Sequence, residues 1–454
     1  MNVYMSLYNK TFCKDYAIKY LRYLCLVLVV FMVSSPSFAG PTEQRCGPFL
    51  TTHLKQVPFC PLYRLYAHRF IKTSRHNTKP SLAYDPVGIS GWKGQEIYYL
   101  GEDKSTLLRS SVESGAILVR YKVGAKLTVP ALVDNKHVYV ASVEGKVFQF
   151  DRLSGKQQWR VDLSSPVASE MIYAAGSLYF KTYLGQVFKV DTTQGAIQWV
   201  STLREKTDVD SMNMRQQRPL LLTSSTLWVG GIHTVEGFGR SNGDSLGSLR
   251  TFQSTTQGIN AVIGIVQQPS MVFARFDGHV FAYNPPNTYQ SIAELNPIWN
   301  YTADSYISSM VAVNHHFYVG TLKGEVIQIT HPTTATHPSS ANQARYQKTA
   351  PKIASRFLAD AAISSISALR VHGSPALLIS TVNGDIIGLS QDLSKVLFHK
   401  RSLLSLHAPP LVISSPLRHL AYFVSGYGHI YSYHLPGKVK TPSVTSLFSM
   451  LFEK

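Results

Sequence analysis

The segment 138–163, VYVASVEGKVFQFDRLSGKQQWRVDL, recurs forty residues later as LYFKTYLGQVFKVDTTQGAIQWVSTL (178–203), with nine of 26 positions identical. Gly145 aligns with Gly185, Asp151 with Asp191, Gly155 with Gly195 and Trp159 with Trp199. A fixed period near forty is the mark of a structural repeat, and it limits the chain to folds assembled from copies of one small unit. Each copy reads as short alternating β segments. A turn follows whose glycine can take positive φ, then a second turn opened by Asp and closed by Gly, then a strand bearing a large aromatic. With the strand before Val138 (LTVPALV), that makes four antiparallel strands per period.

The hairpin returns around Gly278, Gly324, Gly384 and Gly428, and two further strand pairs, near 97–110 and 227–240, lack the turn glycine. Eight units therefore fill 96–435, about 42 residues each, the length of a four-stranded propeller blade. One such sheet cannot bury both of its faces, whereas eight set radially cover one another. The expected fold is all-β, an eight-bladed β-propeller of four-stranded antiparallel blades over 93–437. Trp159, Trp199 and Trp299 are expected to pack between blades. A segment at 331–361, with no strand pattern in its first half and Arg345, Lys348, Lys352 and Arg356 in its second, reads as an insertion loop able to dock an acidic surface.

The first 39 residues read as an export signal. Lys10, Lys14, Lys19 and Arg22 precede an apolar run from Leu24 to Val33, and Ser37-Phe38-Ala39 places small residues before a cut. That run is too short to span a bilayer. Export leaves Cys46 and Cys60, with thirteen residues between them, as the cysteines of the mature chain. In an oxidising compartment they are expected to form a disulfide worth about 3 kcal/mol in the chain-entropy model; two separate thiols are the alternative. The segment 40–92 is a basic extension with interleaved aromatics, and 438–454 is a tail. The whole chain carries 44 Lys+Arg against 26 Asp+Glu, a net +18. Export argues against nucleic acid as the partner of that charge. Acidic envelope partners fit, as does peripheral membrane contact through the extension.

The pattern Asp-x-x-x-Gly-x-x-x-Trp at 151–159 and 191–199, after Gly-x-Val-Phe, resembles the repeat of the pyrroloquinoline-quinone-type propellers. That superfamily holds the quinoprotein dehydrogenases and the BamB outer-membrane assembly subunits. The resemblance implies one of two functions. A dehydrogenase binds the quinone on the propeller axis with a calcium ion, commonly beside a disulfide of adjacent cysteines; the mature chain has no adjacent cysteines and little beyond its blades. Asp208 and Asp210 are the carboxylates that would bear on calcium. An assembly subunit is a non-enzymatic scaffold whose loops hold periplasmic domains of the outer-membrane assembly barrel.

One contact loop of the assembly subunits has the pattern Ser-hydrophobic-x-hydrophobic-Arg ahead of a strand ending Val-Gly-Gly. Here Ser211-Met212-Asn213-Met214-Arg215 precedes Trp228-Val229-Gly230-Gly231. Met212, Met214 and Arg215 are thus the expected partner-binding residues. The chain departs from that family at Thr255–Ile259, where an acidic Asp-x-Asp is absent, in having no lipobox, and in its 40–92 extension. The expectation is a non-enzymatic periplasmic scaffold serving a periplasmic or outer-membrane protein complex, with no catalytic, cofactor or metal residues. An accessory subunit of an envelope secretion complex is the alternative, and a quinoprotein dehydrogenase a further one. His279 is expected at the surface, and adjacent His315 and His316 are expected to point apart.

Overall fold

The computed structural model describes residues 88–435, except 102, 113, 205–218, 232–233, 250–261, 268–269, 285–294, 296, 331–350, 372, 403–405, 407, 415–418 and 425–429. Cys46, Cys60, Met212, Met214, Arg215 and Gly428 lie outside the described residues, as do the expected signal and the tail. The regular elements among the described residues are all β-strands. They form eight antiparallel sheets in chain order, seven with four strands and the last with three described strands. These are the blades of an eight-bladed β-propeller, at 90–122, 132–162, 172–202, 220–248, 262–302, 307–358, 363–401 and 411–434. The first strand of each blade is innermost, and the fourth forms the rim.

The core is not one cluster but eight, one at each junction between neighbouring blades. The ring closes where Ile97, Tyr99 and Leu108 of the first blade interleave with Leu420, Tyr422 and Val424 of the last. Trp159, Trp199 and Trp299 each lie at such a junction. Removing an aromatic of that size from a packed seam costs about 3–5 kcal/mol. Each of the first two also carries a polar connection. Trp159 Nε1 donates to the carbonyl of Thr192 at 2.9 Å, and Trp199 Nε1 to that of Arg240 at 3.3 Å. Both carbonyls belong to the turn between third and fourth strands of the following blade. Gly195 is required there: it sits at φ +72, and a Cβ would lie 2.8 Å from the Trp159 ring.

In the first blade Tyr121 performs the same docking, its hydroxyl donating to the Arg152 carbonyl at 2.7 Å. An ion cluster reinforces that seam. The Glu96 carboxylate accepts from Arg109, from Arg152 at 2.6 and 2.8 Å, and from the Tyr98 hydroxyl at 2.6 Å. Burial alone would raise the pKa of Glu96, but these hydrogen bonds outweigh it and hold the carboxyl down at about 2.

Three details differ from the sequence expectation. The inner strand of the first blade begins at Ser90, ahead of the boundary expected at 93. The inner strand expected across LTVPALV is reduced to Leu132–Val133 plus a bridge from Leu127 to Ser142, because Pro130 supplies no N–H to the ladder. Within the expected 331–361 insertion, Lys352–Leu358 is the rim strand of its blade. Ile353, Ser355 and Phe357 are turned toward the sheet while Lys352, Ala354, Arg356 and Leu358 are exposed, an alternation proper to a strand wet on one side. The rest of that segment, 331–350, lies outside the described residues.

Candidate functional site

Because successive strands reverse direction, each blade's second turn emerges on the same propeller face as the connector to the next blade. A repeated hydrogen bond builds that face. Leu163 N–H donates to Gly145 O at 2.7 Å, Leu203 to Gly185 O at 3.0 Å, Ala303 to Gly278 O at 2.9 Å, Ala359 to Gly324 O at 2.9 Å and Ser402 to Gly384 O at 2.7 Å. The turn glycine therefore receives the end of its own rim strand. At Gly145, φ is +76 and a Cβ would lie 2.8 Å from Leu163 O. In the first blade the positive-φ residue of this turn is Lys104, at +54, and the end of the rim strand is received by Ser105, whose carbonyl accepts from Val123 N–H at 3.1 Å.

Two connectors leave this face on either side of the fourth blade, 205–218 and 250–261. The first contains Met212, Met214 and Arg215, with Asp208 and Asp210; the second contains Thr255–Ile259. Both connectors lie outside the described residues, but their roots do not. At the entrance to 205–218, Arg204 N–H donates to Glu236 Oε2 at 3.0 Å and its guanidinium lies 3.3 Å from Glu236 Oε1. The Glu236 side chain is only 2% exposed. At the exit, Gly230 N–H donates to Pro219 O at 2.7 Å, and buried Lys181 donates through Nζ to Gly230 O at 2.7 Å. The second connector starts after Leu249, whose N–H donates to Val235 O, and ends at Val262, whose N–H donates to Gly231 O. Both loops thus spring from a pinned frame. Exposed apolar side chains share the face, among them Leu184 and Leu322 in second turns, and Tyr306 stacked on Phe276 with ring centroids 4.9 Å apart.

The roots were not signalled in the sequence. Arg204 and Glu236 are far apart along the chain and fit no motif, and Lys181 occupies a position held by Ala141 in the preceding blade.

The opposite face carries the repeat's aspartates in a structural role. Asp151 Oδ1 accepts from the N–H groups of Leu153 and Ser154, and Asp191 Oδ1 from those of Thr193 and Gln194. These are Asx turns, which is why Asp opens the segment that the next glycine closes. His279 and His315 are likewise engaged in the scaffold. His279 is half-buried, not surface-exposed as expected, with Nδ1 3.0 Å from Thr302 Oγ1. Asn314 and His315, at φ +46 and +66, form the tight turn of a hairpin. Among the described residues, no three His, Cys, Asp or Glu side chains gather as a metal site would require.

The inner strands of blades three to six border a half-open pocket of about 390 Å³. Its described lining is aliphatic apart from Glu170: Met171, Ile172, Leu220, Leu221, Val266 and their neighbours. The quinone associated with this superfamily is a tricarboxylate, which calls for cationic partners. No Lys or Arg is among the described residues lining the cavity, and the one ionisable group is an acid. These residues do not fit that cofactor.

Comparison with known proteins is consistent with this architecture. A family model described as outer membrane protein assembly factor BamB matches residues 94–336. Among solved structures, BamB from Moraxella catarrhalis superposes with a TM-score of 0.57 at 12% identity, over 84% of this chain and 99% of that one. Sqt1 from Saccharomyces cerevisiae gives 0.61 at 11%, over 79% and 98%. Quinohemoprotein alcohol dehydrogenase from Comamonas testosteroni gives 0.54 at 10%, over 80% and 76%. At such identities these likenesses establish the fold alone. None of the curated proteins matches the sequence.

Proposed function

This chain belongs to the BamB outer membrane protein assembly factor family, and from that premise we propose that it is a non-enzymatic scaffold of the periplasm, associated with the outer membrane. It binds a protein complex of that compartment through the loops of one propeller face, with Met212, Met214 and Arg215 as contact residues. The observation that carries the reading is the family match, which spans both connectors flanking the fourth blade. The pinned roots at Arg204–Glu236 and Pro219–Gly230 add physical support, since a loop held at both ends loses less entropy on binding. In this reading residues 1–39 direct export, and the basic 40–92 segment adds contact with an anionic membrane surface.

The test is a triple variant, Met212→Ala with Met214→Ala and Arg215→Ala, offered to purified periplasmic domains of the outer-membrane assembly barrel. The circular-dichroism spectrum and thermal midpoint stay those of the parent protein, while affinity falls at least about tenfold, as for truncation of interface anchors. Undiminished affinity would remove the loop from the reading. Addition of pyrroloquinoline quinone and calcium is expected to yield no oxidation of alcohols or sugars; clear turnover would overturn the non-enzymatic assignment.

A further inference from the structure

Each of the first seven blades ends on a rim strand whose outer edge pairs with no described strand, and an open sheet edge is a template on which another chain can add. The blades guard these edges in two ways. In the fourth and fifth blades the rim strand is short, Ser245–Ser248 and Trp299–Thr302. In the first, second, sixth and seventh it is longer and carries a basic side chain at one recurrent place. There the third residue of the blade's third strand stands opposite Arg120, Arg160, Arg356 and His399, all exposed. The third blade has neither guard. Its rim strand, Ile197–Thr202, has six residues and no charge, and the place opposite Phe188 is held by Val200, 52% exposed. Thr202 stands where the first, second and seventh blades carry Lys122, Asp162 and Arg401.

We infer that this edge is a strand-addition site for an extended segment of a partner protein, uncharged and apolar opposite Val200. Leu203 N–H turns inward to Gly185 O, so the alternation of the strand sends the N–H and C=O groups of Thr202 and Val200 outward. Main-chain hydrogen bonds to those groups hold the segment, and the exposed Val200 side chain gives it an apolar neighbour. A register shift between Trp199 and Ile197 confines the regular edge to the stretch from Trp199 to Thr202. Charge selects the occupant. A second copy would bring its own net +18 against this one, which opposes self-pairing. A basic segment meets the same opposition, sharpened by exposed Arg160 on the neighbouring rim. A neutral extended segment meets neither. The inference concerns the rim, goes beyond the partner-binding reading of the face loops, and does not depend on Met212, Met214 or Arg215.

The test is fluorescence-polarisation titration of the purified protein with a labelled peptide, Gly-Thr-Val-Thr-Val-Thr-Gly, blocked at both ends. Saturable binding is expected below about 1 mM. Hydrogen exchange with the peptide present is expected to slow in fragments covering Val200 and Thr202. Val200→Arg, which installs the residue of the other rims, is expected to weaken the peptide at least about tenfold. Thr202→Pro, which removes an outward donor, is expected to do the same, with the thermal midpoint of each variant recorded to confirm folding. A peptide with lysine in place of both valines is expected to bind at least about tenfold more weakly. Leu246→Ala, on the next rim, leaves binding unchanged. Absence of saturable binding by the parent protein overturns the inference. So does undiminished binding in a folded Val200→Arg variant, or equal binding of the lysine peptide. Dimers in sedimentation that Val200→Arg converts to monomers would assign the edge to a second copy and likewise overturn it.

Discussion

Glu96→Gln is the substitution whose consequence follows most directly from the geometry. The glutamine keeps the size of the side chain and an acceptor oxygen but removes the charge that Arg109 and Arg152 share. The carboxyl is held at about 2 in the folded chain against an ordinary 4.5. Taken in full, that displacement corresponds to about 3 kcal/mol. The Glu96, Arg109 and Arg152 side chains are 12%, 10% and 14% exposed, so water reaches the cluster. Screening reduces the expected loss to about 2 kcal/mol. The folded value lies below the unfolded one, so the contribution is complete above pH about 4.5, shrinks as pH falls and is gone below about 2. Urea unfolding at a series of pH values reads both effects. Near neutrality the variant loses about 2 kcal/mol, and between pH 4.5 and 2 the gap to the parent protein closes. A neutral-pH loss under about 0.5 kcal/mol, or a gap that persists unchanged into acid, would refute the latch at this seam.

Further predictions separate backbone strain from packing. Gly176→Ala, at φ +74 with open space around the new methyl, is expected to cost about 1 kcal/mol, whereas Gly195→Ala adds a clash with the Trp159 ring and costs about 2–4 kcal/mol in the same urea assay. Equal losses would show that the ring does not press on that glycine. Trp159→Phe removes the Nε1 donor to Thr192 O while leaving an aromatic in the seam; because that carbonyl still accepts from Gln149 Nε2 at 2.8 Å, the expected loss by chemical denaturation is only about 1 kcal/mol; no loss would mean that the Gln149 donor alone satisfies the carbonyl.

The sequence made the fold legible because a propeller writes each of its constraints once per blade. Gly145 and Gly185 mark the turns that receive the rim strand, Asp151 and Asp191 the turns that their own carboxylates close. Trp159 and Trp199 mark the seams, although their meaning needs the following blade: the glycine that faces Trp159 is Gly195, in the next copy. A further repeat signal lies in the second strands. Tyr139, Tyr179, Tyr318 and Tyr422 all occupy the middle of the second strand, and Tyr318 donates to Gln391 O in the next blade at 2.8 Å. The rim strand Lys352–Leu358 is hard to tell from loop in sequence, because its solvent side carries Lys352 and Arg356 and only Ile353, Ser355 and Phe357 mark the alternation. The candidate face was legible only as loop composition. Its frame depends on Arg204 meeting Glu236 across a blade junction, and a long-range ion pair leaves no period or spacing behind.

The central claim, that one propeller face holds an envelope protein complex, is tested most directly by photocrosslinking in intact cells from single positions on each face. A photoreactive residue at Met214, in the 205–218 connector, or at Leu184, in a second turn, is predicted to yield adducts with an outer-membrane assembly component. The same residue at Leu153, on the opposite face, is predicted to yield none. Adducts arising from Leu153 alone, or a partner pattern indifferent to face, would contradict the account.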